Sequence, residues 1–222
     1  MDTQELAAAE QRWLDLWAGG PQRLRWDRIP LQVGDAAPDL ELLDHTGASV
    51  RLSSLWTDQT AVILFWRHFG CSCGRDRARR LVDEYVELIE LDCTVTIIGQ
   101  AAPERSARYR DRNQIPCAIL SDPEEAAYRA FDVLEGTTAQ VLFDASDDLL
   151  ARELSAGVDL AASRHDTERA SVDNPFLLPA EFVITDGIVQ LAYRYQYCED
   201  FPDPRVLTAA VRFGGAPSSG AS

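Results

Sequence analysis

The chain has 222 residues, 46% of them hydrophobic, which is enough for one domain with a full core. Its formal net charge of −15 argues against nucleic acid and anionic membrane surfaces as partners, because both repel an acidic protein. All 21 basic residues are arginine, so chemistry that needs a lysine, such as a Schiff base or a P-loop, is excluded.

The compartment can be inferred from the N-terminus and the cysteines. The first residues lack the basic start and apolar stretch of a signal peptide, and no apolar run approaches the roughly 18 residues of a membrane span. The five cysteines are too few and too unevenly placed for a secreted disulfide scaffold. We therefore predict a cytoplasmic protein, in which a close cysteine pair is more typical of catalysis or metal binding than of structure.

Residues 2–18 have the pattern of an amphipathic helix, with an apolar stripe of Leu6, Trp13, Leu16 and Trp17. A stripe with two tryptophans predicts a helix that clasps the core of its own domain. A helix that docks on a partner is the alternative. We assign residues 1–32 to an N-terminal helical extension.

After this extension the pattern alternates between strands and helices. Apolar runs predict strands, and apolar positions at helical spacing predict helices. Asp122, followed by Pro123, predicts the N-cap of one helix. In chain order we predict a hairpin around 45–47, a buried strand at 61–66, a helix at 75–90, a strand at 93–99, a helix at 102–114, a strand at 115–122, a helix from 123, a hairpin at 180–195 and a helix around 203–212.

The domain boundaries follow from this order. Strands alternating with helices, closed by a strand–strand–helix unit, predict a single α/β sheet within residues 33–213. Residues 135–175 are weakly patterned and predict an insertion with one short helix and a mobile loop. The composition of 214–222 predicts a disordered tail.

The stretch FWRHFGCSCGRDRARRL places Cys71 and Cys73 in a turn between the strand at 61–66 and the next helix. Catalytic groups gather at the carboxyl ends of strands in such sheets. A helix N-terminus favours thiolate over thiol, and such positions lower a cysteine pKa from ~8.5 into the range ~3.5–7.5. Arg67 and His68 can add to this effect, while the arginine row after Cys73 is assigned mainly to a solvated helix face.

Two thiols separated by one residue can bond if their Cα atoms approach within about 4.4–6.8 Å. We expect an exposed, easily reduced and therefore catalytic disulfide between Cys71 and Cys73. Zinc is a weaker interpretation, because two thiolates are half of a tetrahedral site and the three histidines are scattered (His45, His68, His165). Of the other cysteines, Cys93 and Cys117 are assigned to the core, and Cys198 is either a filler or a distant resolving cysteine.

Four segments in order resemble the thioredoxin-fold AhpC/TSA redoxin superfamily: VGDAAPDLELLDHTGASVRLSSL, AVILFWRHFGC, IPCAILSDPEEAAYRAFDV and LPAEFVITDGIV. The RHFGC stretch is most similar to the peroxiredoxin-like branch. The resemblance spans about residues 33–212. It implies an α/β, thioredoxin-like three-layer fold with a central mixed sheet, to which this chain adds an N-terminal helix, a hairpin and an insertion before the last β-hairpin.

The same resemblance implies reduction of peroxides or disulfides by cysteine, with an external thiol as the reductant and no cofactor. By its position after RHFG, Cys71 matches the nucleophile of the family. That branch usually has its second cysteine three residues later, where this chain has Gly74, whereas thioredoxin-type patterns place the resolving cysteine at Cys73. The two alignments agree on the site and differ on the roles.

Two further positions bear on the activity. The Pro-x-x-x-Thr-x-x-Cys frame that builds the peroxide pocket of typical peroxiredoxins is missing, and Arg67 stands where its proline would follow the strand. Pro179 stands where thioredoxins and related disulfide reductases have a cis-proline facing the active cysteines. The resemblance therefore implies a cis bond between Leu178 and Pro179.

These observations predict a thiol oxidoreductase with Cys71 and Cys73 as catalytic residues and with Arg67, His68 and Pro179 in support. Its substrate would be a small peroxide or a protein or low-molecular-weight disulfide, and a homodimer is left open. One alternative is a peroxidase whose resolving cysteine is Cys198. The other is a non-catalytic binding or redox-sensing module of thioredoxin fold.

Overall fold

The computed structural model describes residues 3–19, 28–153, 155 and 173–214. Its helices are α1 (Thr3–Gly19), α2 (Ser72–Glu90), α3 (Pro103–Arg112), α4 (Ala126–Ala130), α5 (147–153) and α6 (Pro204–Gly214). Its strands are β1 (Glu41–Asp44), β2 (Ser49–Arg51), β3 (Thr60–Phe65), β4 (Cys93–Gly99), β5 (Ala118–Ser121), β6 (Ala180–Thr185) and β7 (Ile188–Arg194). A 3₁₀ turn at Leu52–Leu55 and a π turn at Ala139–Phe143 complete the regular structure.

The strands form one seven-stranded mixed sheet in the order β2-β1-β5-β4-β3-β6-β7. Strands β3, β4 and β5 are parallel, and the other neighbouring strands pair antiparallel. The predicted mixed sheet of a thioredoxin-like α/β fold is confirmed. Because β3 lies between β4 and β6, its carboxyl end, from which the cysteine turn departs, is near the middle of the sheet.

Strand β3 is apolar from Ala61 to Phe65, as expected of a strand with both faces covered. Ile63 and Phe65 point into the cluster that contains α4, whereas Val62 and Leu64 point into the cluster that contains α2 and α6. Both sets are at most 1% exposed. The continuous apolar run therefore places α2, which carries the cysteines at its start, against one face of the sheet.

Helix α1 contacts residues of the following domain, and its assignment to an N-terminal extension over 1–32 stays a prediction. Leu6 and Ala9 are buried, and the Trp17 ring lies 5.1 Å from the Phe176 ring, edge to face. Leu16, which also belongs to the predicted stripe, is 40% exposed. In the part of the chain that the structure describes, no helix is both long and apolar enough to cross a membrane.

The insertion at 135–175 contains the π turn and α5. The predicted mobile loop falls largely on 156–172, which lie outside the described residues, as do residues 215–222 of the predicted tail. Residue 214, predicted as the first of the tail, is instead the last of α6.

The start of α4 differs from the prediction. The helix begins at Ala126 rather than at Pro123, and Glu125 before it has a left-handed backbone with φ of 55°. The carboxylate of Asp122 reaches across the intervening turn and accepts the N–H groups of Ala126 and Ala127 at 2.8 and 2.7 Å. Asp122 therefore caps the helix from four residues away, which the usual spacing of a capping residue does not anticipate.

Candidate active site

Cys71 and Cys73 lie at the N-terminus of α2, where the sequence places them. The helix begins at Ser72, three residues earlier than predicted, so that Cys71 is the N-cap and Cys73 belongs to the first turn. The two cysteines are joined by a disulfide, with their Cα atoms 5.3 Å apart. Both sulfurs thus lie at the end of the helix where unpaired N–H groups and the positive end of the dipole favour negative charge.

The disulfide is buried, and the expected exposure of the pair is therefore wrong. Cys71 is 0% and Cys73 1% exposed. The covering residues come from the insertion, from the segment before β6 and from the segment after β7: Val141, Ala145, Leu149, Phe176, Leu178, Tyr195 and Cys198. The sequence could not show which residues cover the disulfide, because these residues are far from the cysteines along the chain.

Arg67 places a fixed positive charge against the disulfide. Its Nη1 donates to the Sγ atom of Cys71 at 3.0 Å, while Nη2 and Nε donate to the carbonyl of Pro175 at 2.7 and 3.2 Å. The side chain is buried, and Gln100 Nε2 donates to its carbonyl at 2.8 Å. A guanidinium held in this way favours thiolate over thiol once the disulfide is reduced.

Replacing this charge should slow the chemistry of Cys71. The substitution is made in a Cys73→Ser background, in which Cys71 is a free thiol. Arg67→Met is then expected to lower the rate of Cys71 alkylation by iodoacetamide at neutral pH by about tenfold, because a nearby cation lowers the pKa of a thiol by about one unit or more. The rate is measured by intact-protein mass spectrometry. Arg108→Met on α3 is the control, and an equal effect of the two substitutions would contradict a specific role for Arg67.

His68 shapes the turn and faces a carboxylate that the sequence does not reveal. Its carbonyl accepts the N–H of Cys71 at 3.1 Å, and its Nδ1 accepts the N–H of Gly70 at 3.2 Å. Glu153, at the end of α5, accepts the Ser72 hydroxyl at 2.6 Å and also the Ser72 N–H. No sequence signal points to Glu153, because it lies in the weakly patterned insertion.

Packing explains why the second cysteine is at 73 and not at 74. A Cβ atom on Gly74 would lie 3.0 Å from Trp66 Nε1 and 3.1 Å from the hydroxyl of Tyr109, both tighter than ordinary contact. Trp66 is itself fixed there, because its Nε1–H donates to the Tyr109 hydroxyl at 3.0 Å. A side chain at position 74 would have to displace this pair, whereas Cys73 on the neighbouring position reaches Cys71 without doing so.

The Leu178–Pro179 peptide bond is trans, so the predicted cis bond is wrong. The trans form of an X-Pro bond is favoured by about 0.5–1 kcal/mol, and the surrounding pairing is compatible with it. Leu178 N–H donates to Leu134, and the Pro179 carbonyl accepts the N–H of Tyr195. Pro179 nevertheless lies beside Cys73, in the wall of a cavity of about 10 Å³ that holds roughly one water molecule.

A buried ionic network lies behind this cavity. Arg77 Nε donates to Glu181 Oε1 at 2.8 Å, and the Tyr195 hydroxyl donates to the same oxygen at 2.5 Å. Burial is the largest influence on Arg77 and lowers its pKa, but Glu181, Tyr195 and Glu84 together outweigh it and raise the pKa of Arg77. The assignment of Arg77 to a solvated helix face is therefore wrong. Arg80 pairs with Glu84 at 3.5 Å, as expected for residues four apart on a helix.

The remaining cysteines are buried. Burial raises the pKa of Cys93 to about 11 and that of Cys117 to about 12, as expected of core thiols. Cys198 packs in the same cluster as the disulfide, and its Sγ lies 3.7 Å from the carbonyl of Val141. Burial raises the pKa of Cys198, while Arg67 acts in the opposite direction. Of the histidines, His165 lies outside the described residues.

Helix α5 is attached to the start of α2 by charged side chains. Arg152 forms ion pairs with Asp76 on α2 and with Glu199 after β7, the latter at 3.8 Å. Glu199 also accepts the N–H of Ser146 at 2.9 Å. Since α5 contributes Leu149 to the apolar cover, a reductant must displace or bypass this helix to reach the sulfurs.

Weakening this attachment should make the disulfide easier to reduce. Arg152→Met is expected to speed reduction of the oxidised protein by a small dithiol about tenfold, because charged hydrogen bonds of about 1.5–3 kcal/mol that hold α5 down are lost. Reduction is followed by trapping the thiols with a maleimide. Arg205→Met, which changes an exposed arginine on α6, should leave the rate unchanged. Equal rates for Arg152→Met and the wild type would contradict the role given to α5.

Similarity to known proteins extends over most of the fold. Residues 33–192 match the AhpC/TSA family. The thioredoxin-like protein AAED1, chloroplastic, of Arabidopsis thaliana is 27% identical over 106 residues, which are 48% of this chain and 43% of that protein. Peroxiredoxin Bcp of Bacillus subtilis is 25% identical over 105 residues, which are 47% of this chain and 66% of that protein. The matched part thus spans less than two thirds of either relative.

Two solved structures show the same fold at low sequence identity. The peroxiredoxin-like protein from Aquifex aeolicus superposes with a TM-score of 0.60 at 15% identity, covering 88% of this chain and 94% of that one. Peroxidoxin BcpB from Mycobacterium tuberculosis gives a TM-score of 0.55 at 19% identity, covering 82% and 97%. Because the family match takes in most of the chain and the sheet agrees with it, the protein belongs to the AhpC/TSA family.

Proposed function

We propose that the protein is a thiol-dependent peroxidase in which Cys71 is the nucleophile and Cys73 the resolving cysteine. The observation that carries this proposal is the position of the disulfide at the start of α2, with the Arg67 guanidinium against the Cys71 sulfur. The family supports cysteine chemistry in general, and the assignment of the two residues rests on this geometry.

The cycle requires only the two cysteines, a peroxide and an external thiol. The Cys71 thiolate attacks one peroxide oxygen, the O–O bond breaks, and the other oxygen takes up a proton and leaves as water or an alcohol. The resulting sulfenic acid is attacked by Cys73, which closes the disulfide and releases water. Thiol–disulfide exchange with the external reductant then restores both thiols and oxidises the reductant.

Arg67 supports the choice of Cys71 as the nucleophile. Its Nη1 contacts the Cys71 sulfur, where it favours the thiolate before attack. The same N–H group can donate to the oxygen that acquires negative charge as the O–O bond breaks. Cys71 also holds the N-cap position, whereas Cys73 lies two residues later in the first turn and lines the small cavity with Pro179.

Burial favours a small oxidant over a protein disulfide as the substrate. The two sulfurs are covered by the insertion and by Phe176, and the cavity beside Cys73 measures only about 10 Å³. A peroxide needs far less displacement of this cover than a polypeptide that must present its own disulfide. The curated relative Peroxiredoxin Bcp of Bacillus subtilis is named for the same chemistry.

A second candidate uses Cys198 in place of Cys73. The observation in its favour is that Cys198 is fully buried in the same apolar cluster as Cys71. The two candidates differ in their variants. If Cys73 resolves, Cys73→Ser stops formation of the intramolecular disulfide and Cys198→Ser does not. If Cys198 resolves, the outcomes are reversed.

The proposed function is tested by steady-state turnover with excess dithiol. Hydrogen peroxide, an organic hydroperoxide and the disulfides of insulin are compared as substrates, with Cys73→Ser and Cys198→Ser alongside the wild type. We expect consumption of a peroxide to exceed reduction of insulin, and Cys73→Ser to lower peroxide turnover by at least tenfold. Absence of turnover with all three substrates would contradict an enzyme and favour a binding or redox-sensing module.

A further inference from the structure

We propose that the reduced active site binds one divalent cation of the zinc class, held by Cys71, Cys73, His68 and Glu153, and that oxidation of the cysteines to the disulfide releases it. The proposal goes beyond the peroxidase function and does not depend on it. It rests on three side chains that come together where α5 meets the start of α2, those of His68, Cys71 and Glu153, and on Cys73, which is bonded to Cys71.

The spacing of the side chains fits a single ion. One nitrogen of His68, the sulfur of Cys71 and one carboxylate oxygen of Glu153 all lie within 4.8 Å of one another. Bonds of about 2.0–2.3 Å to a tetrahedral zinc ion place the ligand atoms about 3.3–3.8 Å apart, so small movements of these side chains would bring the three atoms to one ion. Cys73 is bonded to Cys71 in the disulfide but does not belong to this group of three, so its side chain has to turn toward the ion after reduction to supply a fourth ligand.

The charges of the site also fit a divalent cation. Metal binding releases the protons of both thiols, and two thiolates and the Glu153 carboxylate then face the single positive charge of Arg67. This leaves two negative charges around sulfurs that are almost fully buried, where unpaired charge is costly. A divalent ion cancels them. Thiolate and imidazole ligands favour zinc over magnesium or calcium, which prefer oxygen.

Hydrogen bonds from outside the site orient Glu153, whereas the hydrogen bond at His68 is replaced by the cation. The Ser72 N–H and hydroxyl donate to Oε1 of Glu153, and a carboxylate has a second oxygen with which to bind a cation. The Gly70 N–H donates to Nδ1 of His68 at 3.2 Å, a long bond that a cation at this nitrogen replaces. Such supporting bonds are usual around metal ligands and contribute to their affinity.

The site exists only in the reduced state. In the disulfide the two sulfurs share a bond and carry no charge, so two of the four ligands are lost. A peroxide that oxidises the zinc-bound pair removes two electrons from the two thiolates and takes up two protons. Its oxygens leave as water, or as water and an alcohol, the S–S bond forms, and zinc dissociates.

The test compares zinc binding by reduced and oxidised wild-type protein, which needs no substitution. Zn²⁺ is titrated against a chromophoric chelator, and Co²⁺ is used as a spectroscopic probe. We expect one equivalent of Zn²⁺ in the reduced protein, an affinity about 100-fold lower in the oxidised protein, and thiolate-to-cobalt charge-transfer absorption in the reduced protein alone. Equal affinity in both states would overturn the proposal.

Variants then test the four ligands. Cys71→Ser, Cys73→Ser, His68→Ala and Glu153→Gln should each weaken Zn²⁺ binding by about tenfold or more. Cys117→Ser in the core and Glu87→Gln on the exposed face of α2 are the matched controls and should not. Binding that is insensitive to both His68→Ala and Glu153→Gln would mean that the thiols alone capture the metal, which overturns the site as described. Peroxide turnover measured on the same samples separates this failure from failure of the peroxidase function.

Discussion

A Cys71→Ser variant is expected to lose peroxide turnover by about 10³-fold or more, because no other side chain replaces the sulfur that attacks the oxidant. A serine hydroxyl at this position is not ionised at neutral pH and cannot form the sulfenic acid. The substitution removes one sulfur from a tightly packed site and little volume, so the fold should be retained. Turnover is measured with the peroxide that the wild type consumes fastest.

The effect on Cys71 should be separable from the effects on the other cysteines. Cys73→Ser should still consume one equivalent of peroxide in a single turnover and accumulate a sulfenic acid, which a dimedone probe traps. Cys117→Ser, at a buried position just before β5, should behave as the wild type. If Cys71→Ser still consumed peroxide in a single turnover and Cys73→Ser did not, Cys73 would be the nucleophile and Cys71 the resolving cysteine.

Glu181→Met is expected to lower the free energy of unfolding by about 3–5 kcal/mol, because it leaves the guanidinium of Arg77 buried without its main partner. Both side chains are almost fully buried, and the Tyr195 hydroxyl loses its acceptor as well. Glu84 also lies near Arg77, at 2.9 Å, and moderates the loss. The measurement is urea denaturation of the oxidised protein, followed by circular dichroism.

Combining Glu181→Met with Arg77→Met should restore most of this stability, because replacing both members of a buried ion pair by apolar side chains is often nearly neutral. Glu87→Gln, on the exposed side of α2, should change the free energy of unfolding by less than about 0.5 kcal/mol. If Glu181→Met alone changed the free energy of unfolding by no more than Glu87→Gln does, the buried network would not stabilise the fold.

Much of the fold could be predicted because its strands and helices are locally consistent. The apolar run ending in Phe65 and the strand from Cys93 to Gly99 are in the structure within one residue of the prediction. The turn residues at 186 and 187 likewise mark the last hairpin correctly. In these segments the hydrophobic period and the turn chemistry point to the same element.

The features that differ depend on contacts between distant parts of the chain. Burial of the cysteines comes from Leu149 and Phe176, and Arg77 is turned inward by Glu181 on β6. Glu153 reaches the start of α2 from the insertion, where the sequence has no clear pattern. Helical spacing describes neighbours along one helix, so it could place the arginines on α2 but could not identify partners on other elements.

The position of the cysteine pair was predictable, whereas its cover was not. A strand end followed by a helix start brings Cys71 and Cys73 to the N-terminus of α2 whatever else surrounds them. The cis bond expected before Pro179 rested on resemblance to the family alone, and the bond is trans. Resemblance is therefore a weak guide to the conformation of a single residue. Arg67 lies two residues after the end of β3, and its Nη1 donates to the Cys71 sulfur, whereas its supporting role in catalysis stays a prediction.

The central claim is that Cys71 and Cys73 are redox partners in the working protein. The most direct measurement is peptide mapping by mass spectrometry of fully reduced protein treated with one equivalent of peroxide under native conditions and then alkylated. The account predicts a single peptide in which Cys71 and Cys73 are linked, with Cys93, Cys117 and Cys198 alkylated. A bond from Cys71 to Cys198, or alkylation of both Cys71 and Cys73 after the peroxide is consumed, would contradict it.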